Sequence, residues 1–312
     1  MANQDLNMAN QGRNNAIDFV KILMAILVIS IHTITPSGTL DYLLTQSIAR
    51  VAVPFFFIAA GYYFPSNPKA ADIKKTVFRL TCLYIAWCVF YLPFEISDIA
   101  MKHRSTGGYA FESLYILVKG WRHLWFMPAL IIGMIVYYFL YANKRLYLIA
   151  ISLYVIGFIL QSSIEHGEYS ILFYRNFLTF GFPLIALGAA LKKYRISSMA
   201  AYSGVSTFLF LTIMLCAEGC IRLKLGVYNN DLLLFAPLAA SCIFMIALRS
   251  NIKINFNIAS TASSIYFIHY FFYLALKSQI GNQTLLFLSV SFFSVFFSQT
   301  FGKISFYKRI LT

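Results

Sequence analysis

Residues 16–34 read AIDFVKILMAILVISIHTI, an apolar run broken by Asp18 and Lys21 near its start and by His32 near its end. A helix rises about 1.5 Å per residue, so this run is long enough to cross a hydrocarbon core of about 30 Å. Ionisable side chains are rare inside such spans because burying them costs several kcal/mol, which makes each one a functional-site hypothesis. At about 100° per residue, Lys21 and His32 return to within about 20° of each other and stand roughly 16 Å apart along the axis. Asp18 falls within about 60° of Lys21 on the same side. A basic group near one membrane face and an imidazole near the other point to chemistry or transport conducted across the bilayer.

The rest of the chain agrees with a membrane reading. Of its 312 residues 60% are hydrophobic and 12% charged, against about 25% charged in soluble domains. The net charge of +14 would suit nucleic acid only on a contiguous basic surface. Here the basic residues are scattered between apolar segments, so no nucleic-acid partner is expected. The five cysteines all lie in or beside apolar stretches and read as small hydrophobes, with no companion completing a zinc site. No Walker loop, HExxH, GxSxG or dinucleotide fingerprint occurs, so neither a bound metal nor a nucleotide fold is supported.

The fold expected is all-α and polytopic, with about ten transmembrane helices in a single domain over 16–301. A polar, disordered cytoplasmic N-terminus (1–15) precedes it and a basic cytoplasmic tail (302–312) follows. No appended extracytoplasmic domain is expected after residue 301. The spans read as 16–34, 46–64, 78–97, 124–142, 146–163, 175–191, 199–217, 230–248, 262–280 and 284–301. The first has no A-x-A site after it and reads as an uncleaved span rather than a signal peptide. With the N-terminus inside, 15 Lys and Arg fall in inner segments against 8 outside, which places both termini in the cytoplasm. Lys21 then lies toward the cytoplasm and His32 toward the outside. No matched pair of Gly/Pro-broken spans marks an inverted-repeat transporter.

Several side chains bear chemistry. His32 is suited to proton transfer near neutral pH, or is an imidazole hydrogen-bonded to a neighbouring helix. Arg50 opens the second span at the level of His32 and offers donors suited to phosphate or carboxylate, unless it snorkels to the interface. Glu95, after Pro93, can orient an imidazole, pair with Arg50, or stand as a solvated interfacial acid. The run Trp121-Arg122-His123-Leu124-Trp125 at the start of the fourth span reads either as an aromatic belt or as part of a site. Arg175 and Asn176 open the sixth span. Glu218 and Arg222, four residues apart, read as a local ion pair. Tyr266, His269 and Tyr273 share one helical face, lining a cavity or a packed hydrogen-bonded seam.

Taken together and in order, five pieces resemble the membrane acyltransferase-3 family: Ala-Ile-Asp18-Phe with Lys21-x10-His32, Arg50-x3-Pro54-Phe-Phe-Phe-x3-Gly61, His123-Leu-Trp125-Phe126, and Ser264-Ile-Tyr-Phe-Ile-His269. The resemblance spans nearly the whole chain. It implies an acyl-CoA-dependent O-acyltransferase of the cell (inner) membrane, moving an acetyl group from cytoplasmic acetyl-CoA to a hydroxyl of an extracytoplasmic sugar or cell-envelope polymer. It implies His32 as the catalytic base and Lys21 in a basic position often held by arginine. Our assignment adds Glu95 as a residue orienting the imidazole and Lys21 and Arg50 as donor-binding. Arg122, His123, Trp125 and His269 are assigned to the acceptor. The Arg-x-Arg motif of some members is absent. Because the family includes membrane segments of serine-racemase-type proteins, a small-solute transporter module is the alternative.

Overall fold

A computed structural model describes residues 14–102, 112, 115, 119–164, 170–194, 204–228, 230–250 and 260–301. Among the described residues the chain forms ten long helical segments and no strand. They are α1 (Asn15–Thr33), α2 (Thr39–Tyr63), α3 (Ala70–Lys102), α4 (Arg122–Leu140), α5 (Leu146–Ser163), α6 (Ile171–Lys193), α7 (Val205–Lys224), α8 (Ala236–Arg249), α9 (Thr261–Leu276) and α10 (Gln283–Phe301). The segments assigned to the N-terminal arm before residue 14 and to the tail from 302, and most of the 98–123 loop, lie outside the described residues.

Eight of these helices are long and apolar enough to cross a membrane; α8 and α9 are shorter. At about 1.5 Å per residue, α8 and α9 rise only about 21 and 24 Å. Their position explains why they need no greater length. Most of α8, and the first two-thirds of α9, are buried inside the bundle. By contrast α3, α5, α7 and α10 lie at the periphery, where Phe78, Val89, Leu148, Ile151, Phe210, Phe292 and Phe296 are exposed. An apolar surface of this extent is what a lipid-facing layer requires.

Local chemistry sets the helix limits. Asn14 caps α1, its side-chain oxygen accepting from the N–H of Ala16 at 2.9 Å and of Ile17 at 3.3 Å. Pro237 sits in the first turn of α8, where its missing N–H costs nothing. The span read as 230–248 therefore starts later, at Ala236, and residues 230–235 are not helical.

The tightest crossing is between α2 and α6. A Cβ built on Gly61 would lie 2.0 Å from the Ile185 carbonyl oxygen, and one on Gly188 the same distance from that of Ile58. Each glycine thus admits the other helix's backbone, the small-residue packing that membranes favour. This contact brings the parts of α2 and α6 that carry Arg50 and Arg175 to one end of the bundle.

Candidate active site

Three imidazoles meet at that end. The His32 ring, on the last turn of α1, lies 5.4 Å from His269 and 5.4 Å from Tyr270 on α9. His123 lies 5.1 Å from His269 and stacks on Tyr270 at 5.1 Å. His123 and His269 are fully buried, whereas His32 is partly open.

The two buried rings have assignable tautomers, because a carbonyl oxygen only accepts. His269 Nδ1 lies 2.6 Å from the Tyr266 carbonyl, so Nδ1 donates. His123 Nε2 lies 3.2 Å from the Phe267 carbonyl, so Nε2 donates. Each ring keeps its second nitrogen as a lone pair, and neither His269 Nε2 nor His123 Nδ1 has a partner among the described residues. Tyr266 donates its hydroxyl to the His123 carbonyl. Tyr91 on α3 locks α9 further: its hydroxyl donates to the Phe267 carbonyl at 2.6 Å and accepts from the Phe271 N–H at 3.1 Å. These bonds leave His32 as the accessible member of the cluster.

A tight turn delivers His123. Gly120 has φ 85°, and a Cβ there would sit 2.5 Å from Trp125 N, so glycine fits both the backbone and the space. Arg122 shares the left-handed region at φ 46° and is held by Asp98 Oδ2 at 2.8 Å. The following 3-10 turn, Arg122–Trp125, turns His123 inward and Arg122 outward.

Beside His32 lies a charged clamp. Arg50 Nη1 donates to Asp231 Oδ1 at 2.7 Å and Arg50 Nη2 to Gln46 Oε1 at 2.6 Å. Arg175 Nη1 approaches both Asp231 oxygens, at 3.3 and 3.4 Å, and its guanidinium lies over the Trp125 ring at 4.8 Å. Arg50 Nε and Arg175 Nε find no hydrogen-bond partner among the described residues. Burial pushes the Asp231 carboxyl up, but Arg175 and Arg50 outweigh it and hold it below its ordinary value. Two guanidiniums against one carboxylate leave a net positive charge in a mostly buried setting.

Both arginines sit at irregular backbone. Before Arg50, residues Leu44–Ile48 form a π-turn, and Arg50 itself lies in the 3-10 turn Ala49–Val51. Helix α6 breaks at Arg175-Asn176 and resumes through a π-turn over Phe177–Gly181. Asn176 repairs the break, its Oδ1 accepting from Leu178 N at 2.7 Å and Thr179 N at 3.0 Å while Nδ2 donates to the Leu172 carbonyl. Irregular backbone at membrane depth survives where such groups are satisfied or line a cavity, and π-turns recur at functional sites.

Asp231 is presented by the non-helical segment before α8. Gln161 Oε1 accepts from the N–H of Asp231 and Leu232, both at 2.8 Å. Glu218 accepts from the N–H of Leu234 and Phe235. Arg222 Nε donates to Asn230 Oδ1 at 2.6 Å, and Asn230 Nδ2 to Tyr42 Oη at 2.7 Å. Glu218 and Arg222 are thus not an ion pair with each other, as expected from their spacing, but two clasps on the Asp231 segment. Side chains take the place of the helical ladder here.

A small cleft of about 50 Å³ joins the two groups, bounded by His32, Arg50, His123, Trp125, Arg175, Asp231 and Tyr266 among others. It has room for water and polar side-chain atoms. Of the residues singled out in the sequence, His32, Arg50, His123 and Trp125 line it and His269 packs behind His32. Glu95 does not line it, and Arg50 pairs with Asp231 rather than with Glu95. Arg122 is exposed and turned to Asp98. Lys21 stays at the other end of α1, 3.3 Å from Asp18 and 5.6 Å from the centre of the Tyr63 ring, so it and Arg50 do not form one site. Asp231, Gln46 and Tyr91 were not singled out from the sequence; Asp231 and Asn230, polar residues before Pro237, were the available signal for a late helix start.

Comparison with known proteins agrees with this picture. The sequence profile of the acyltransferase-3 family, described as an acyltransferase domain, matches residues 14–303. A serine/alanine racemase of Enterococcus gallinarum is 26% identical over 76% of this chain and 37% of its own length. An amino-acid racemase of Enterococcus faecalis is 30% identical over 46% of this chain and 21% of its own length. The chain thus spans well under half the length of the curated relatives it matches. No solved structure matches it. With a profile match over nearly its whole length and eight helices able to span a bilayer, the chain belongs to the acyltransferase-3 family and is a multi-pass membrane protein.

Proposed function

We propose that the cleft at His32 is where an acyl group, acetyl in the simplest case, passes from acyl-CoA to a hydroxyl of an extracytoplasmic sugar or cell-envelope polymer. The observation that carries this reading is the placement of one accessible imidazole, His32, beside a net-positive pair of arginines fixed by Asp231. In this reading both termini face the cytoplasm of a cell (inner) membrane, and His32 faces the acceptor side.

Neutral His32 takes the proton of the acceptor hydroxyl as its oxygen attacks the thioester carbonyl. Negative charge then gathers on the carbonyl oxygen, where Arg50 and Arg175 stabilise it. Collapse breaks the carbon–sulfur bond, and the departing thiolate recovers the proton from imidazolium His32. The ester and free CoA are the products, and the chain returns unchanged. Asp231 keeps both guanidiniums aimed at the cleft, and Trp125 and Tyr266 shape its walls. His123 and His269, whose donors are committed to backbone carbonyls, position the wall behind His32.

A second reading is movement of a small amino-acid-like solute. The break in α6 at Arg175-Asn176 favours it, since broken helices bearing charged groups bind solutes in transporters, and the racemase-named relatives are consistent with it. Proteoliposomes separate the two. Acyl transfer predicts that labelled acetyl from acetyl-CoA appears on added envelope glycan without net solute uptake. Serine or alanine uptake in the absence of acetyl-CoA, with no glycan labelling, overturns it.

A further inference from the structure

The Lys21 end of the bundle holds a second and larger cavity, of about 590 Å³. The chain turns after α2, between α4 and α5, and at the end of α6 enclose it, and Phe64, Tyr141, Lys144, Tyr147, Lys192 and Lys193 form much of its wall. Its size falls within the range of small-molecule sites, about 300–1,000 Å³. Three lysines face it, and no Asp or Glu is among its lining residues. Lys192 is anchored, its Nζ donating to the Phe64 carbonyl at 3.1 Å, while Lys193 lies over the Tyr147 ring at 5.6 Å. Phe64 follows Tyr63, the ring against which Lys21 rests, so the cavity and Lys21 share one end.

We propose that this cavity is a phosphate-recognition site that seats the nucleotide end of the acyl donor, with Lys144, Lys192 and Lys193 contacting phosphate oxygens. The proposal rests on the acyl-transfer reading above. Ammonium groups bind phosphate as point charges, and three of them with no carboxylate in the wall leave that charge for a ligand. Lysines at this level also mark topology and attract anionic lipid. Those roles account for the charge but need neither a concave site nor its tyrosine walls, which offer flat apolar faces to a heterocycle. Lys21, at this end, stands about 16 Å of helical rise from His32, so a donor seated here must reach the cleft by an extended arm, as a CoA thioester does.

The test uses the full chain in phosphatidylcholine nanodiscs, titrated with acetyl-CoA and with acetyl-pantetheine, which carries no phosphate. In Lys144→Gln/Lys193→Gln, acetyl-CoA affinity is expected to fall at least about tenfold, with an unchanged apparent Tm and unchanged affinity for acetyl-pantetheine. Wild-type acetyl-CoA affinity is expected to fall as salt rises. Equal acetyl-CoA affinity in wild type and variant overturns the site while leaving acyl transfer at His32 standing. If wild type ignores acetyl-CoA but retains phosphatidylglycerol in a lysine-dependent manner, the phosphate belongs to lipid and the donor assignment is overturned. Binding of neither probe overturns the proposal altogether.

Discussion

Arg50 Nη1 stands 2.7 Å from Asp231 Oδ1, joining the irregular start of α2 to a non-helical segment before α8. Arg175, at the break in α6, reaches the same carboxylate from the other side. Three stretches distant in sequence are thereby tied at one point, and His32 on α1 borders it. The clamp has both a structural and a chemical consequence, and the two are separable.

The structural consequence is tested at Asp231. Its side chain is almost wholly buried between two guanidiniums, so Asp231→Ala leaves uncompensated buried charge. Loss of about 3 kcal/mol is expected, read as a lowered apparent Tm in detergent. Because its folded pKa is depressed, wild-type Asp231 contributes fully above the ordinary value of about 3.9. That contribution is lost as pH falls from there through the folded value. The variant's Tm deficit therefore shrinks in strong acid; a deficit constant down to that range contradicts the assignment.

The chemical consequence is tested at Arg175. Arg175→Lys keeps a charge near Asp231 but loses the planar guanidinium, whose Nη1 approaches both carboxylate oxygens and whose face covers Trp125. Removal of one transition-state donor costs about 100-fold or more in kcat in other enzymes. A fall of that order, with little change in the KM for acetyl-CoA, is expected. A change confined to KM would place Arg175 in ground-state binding instead.

Glu95 supplies the opposite expectation. It lies outside the cleft, and Arg50 has a different carboxylate. Glu95→Gln is expected to leave acyl transfer within about twofold of wild type, whereas a role in orienting His32 requires a loss of tenfold or more. Initial rates on the purified variants decide between them.

Packing makes its own prediction. Gly188→Leu places side-chain atoms where the Ile58 carbonyl already lies, 2.0 Å from the first of them. The α2–α6 crossing must open, at a cost of about 3 kcal/mol or more. Loss of monodisperse protein in size-exclusion chromatography is expected, while Gly281→Leu, at an open position, is expected to behave as wild type.

Much of this architecture was legible in the chain itself. The apolar runs overlap the ten long helical segments among the described residues, and the pattern around His32, Arg50, His123, Trp125 and His269 brought forward residues that do converge. The clamp was not legible, for physical reasons. Hydropathy cannot distinguish a helix from an apolar segment whose N–H groups are met by Gln161 and Glu218, so Asp231 was absorbed into a span. A π-turn leaves no mark in composition either, which hid the irregular backbone before Arg50 and after Arg175. Glu95 does not line the cleft, because its level along the bundle says nothing about which way its helix faces. The turn at Gly120 likewise separates Arg122 from its neighbour His123, which sequence adjacency had put in one site.

The central claim is that His32 moves the proton in acyl transfer, and the most direct measurement is transfer of labelled acetyl from acetyl-CoA to envelope glycan by His32→Ala. The account predicts a loss of at least about 100-fold, with an apparent Tm within a few degrees of wild type because His32 is the accessible ring of its cluster. Wild-type transfer by folded His32→Ala would contradict it.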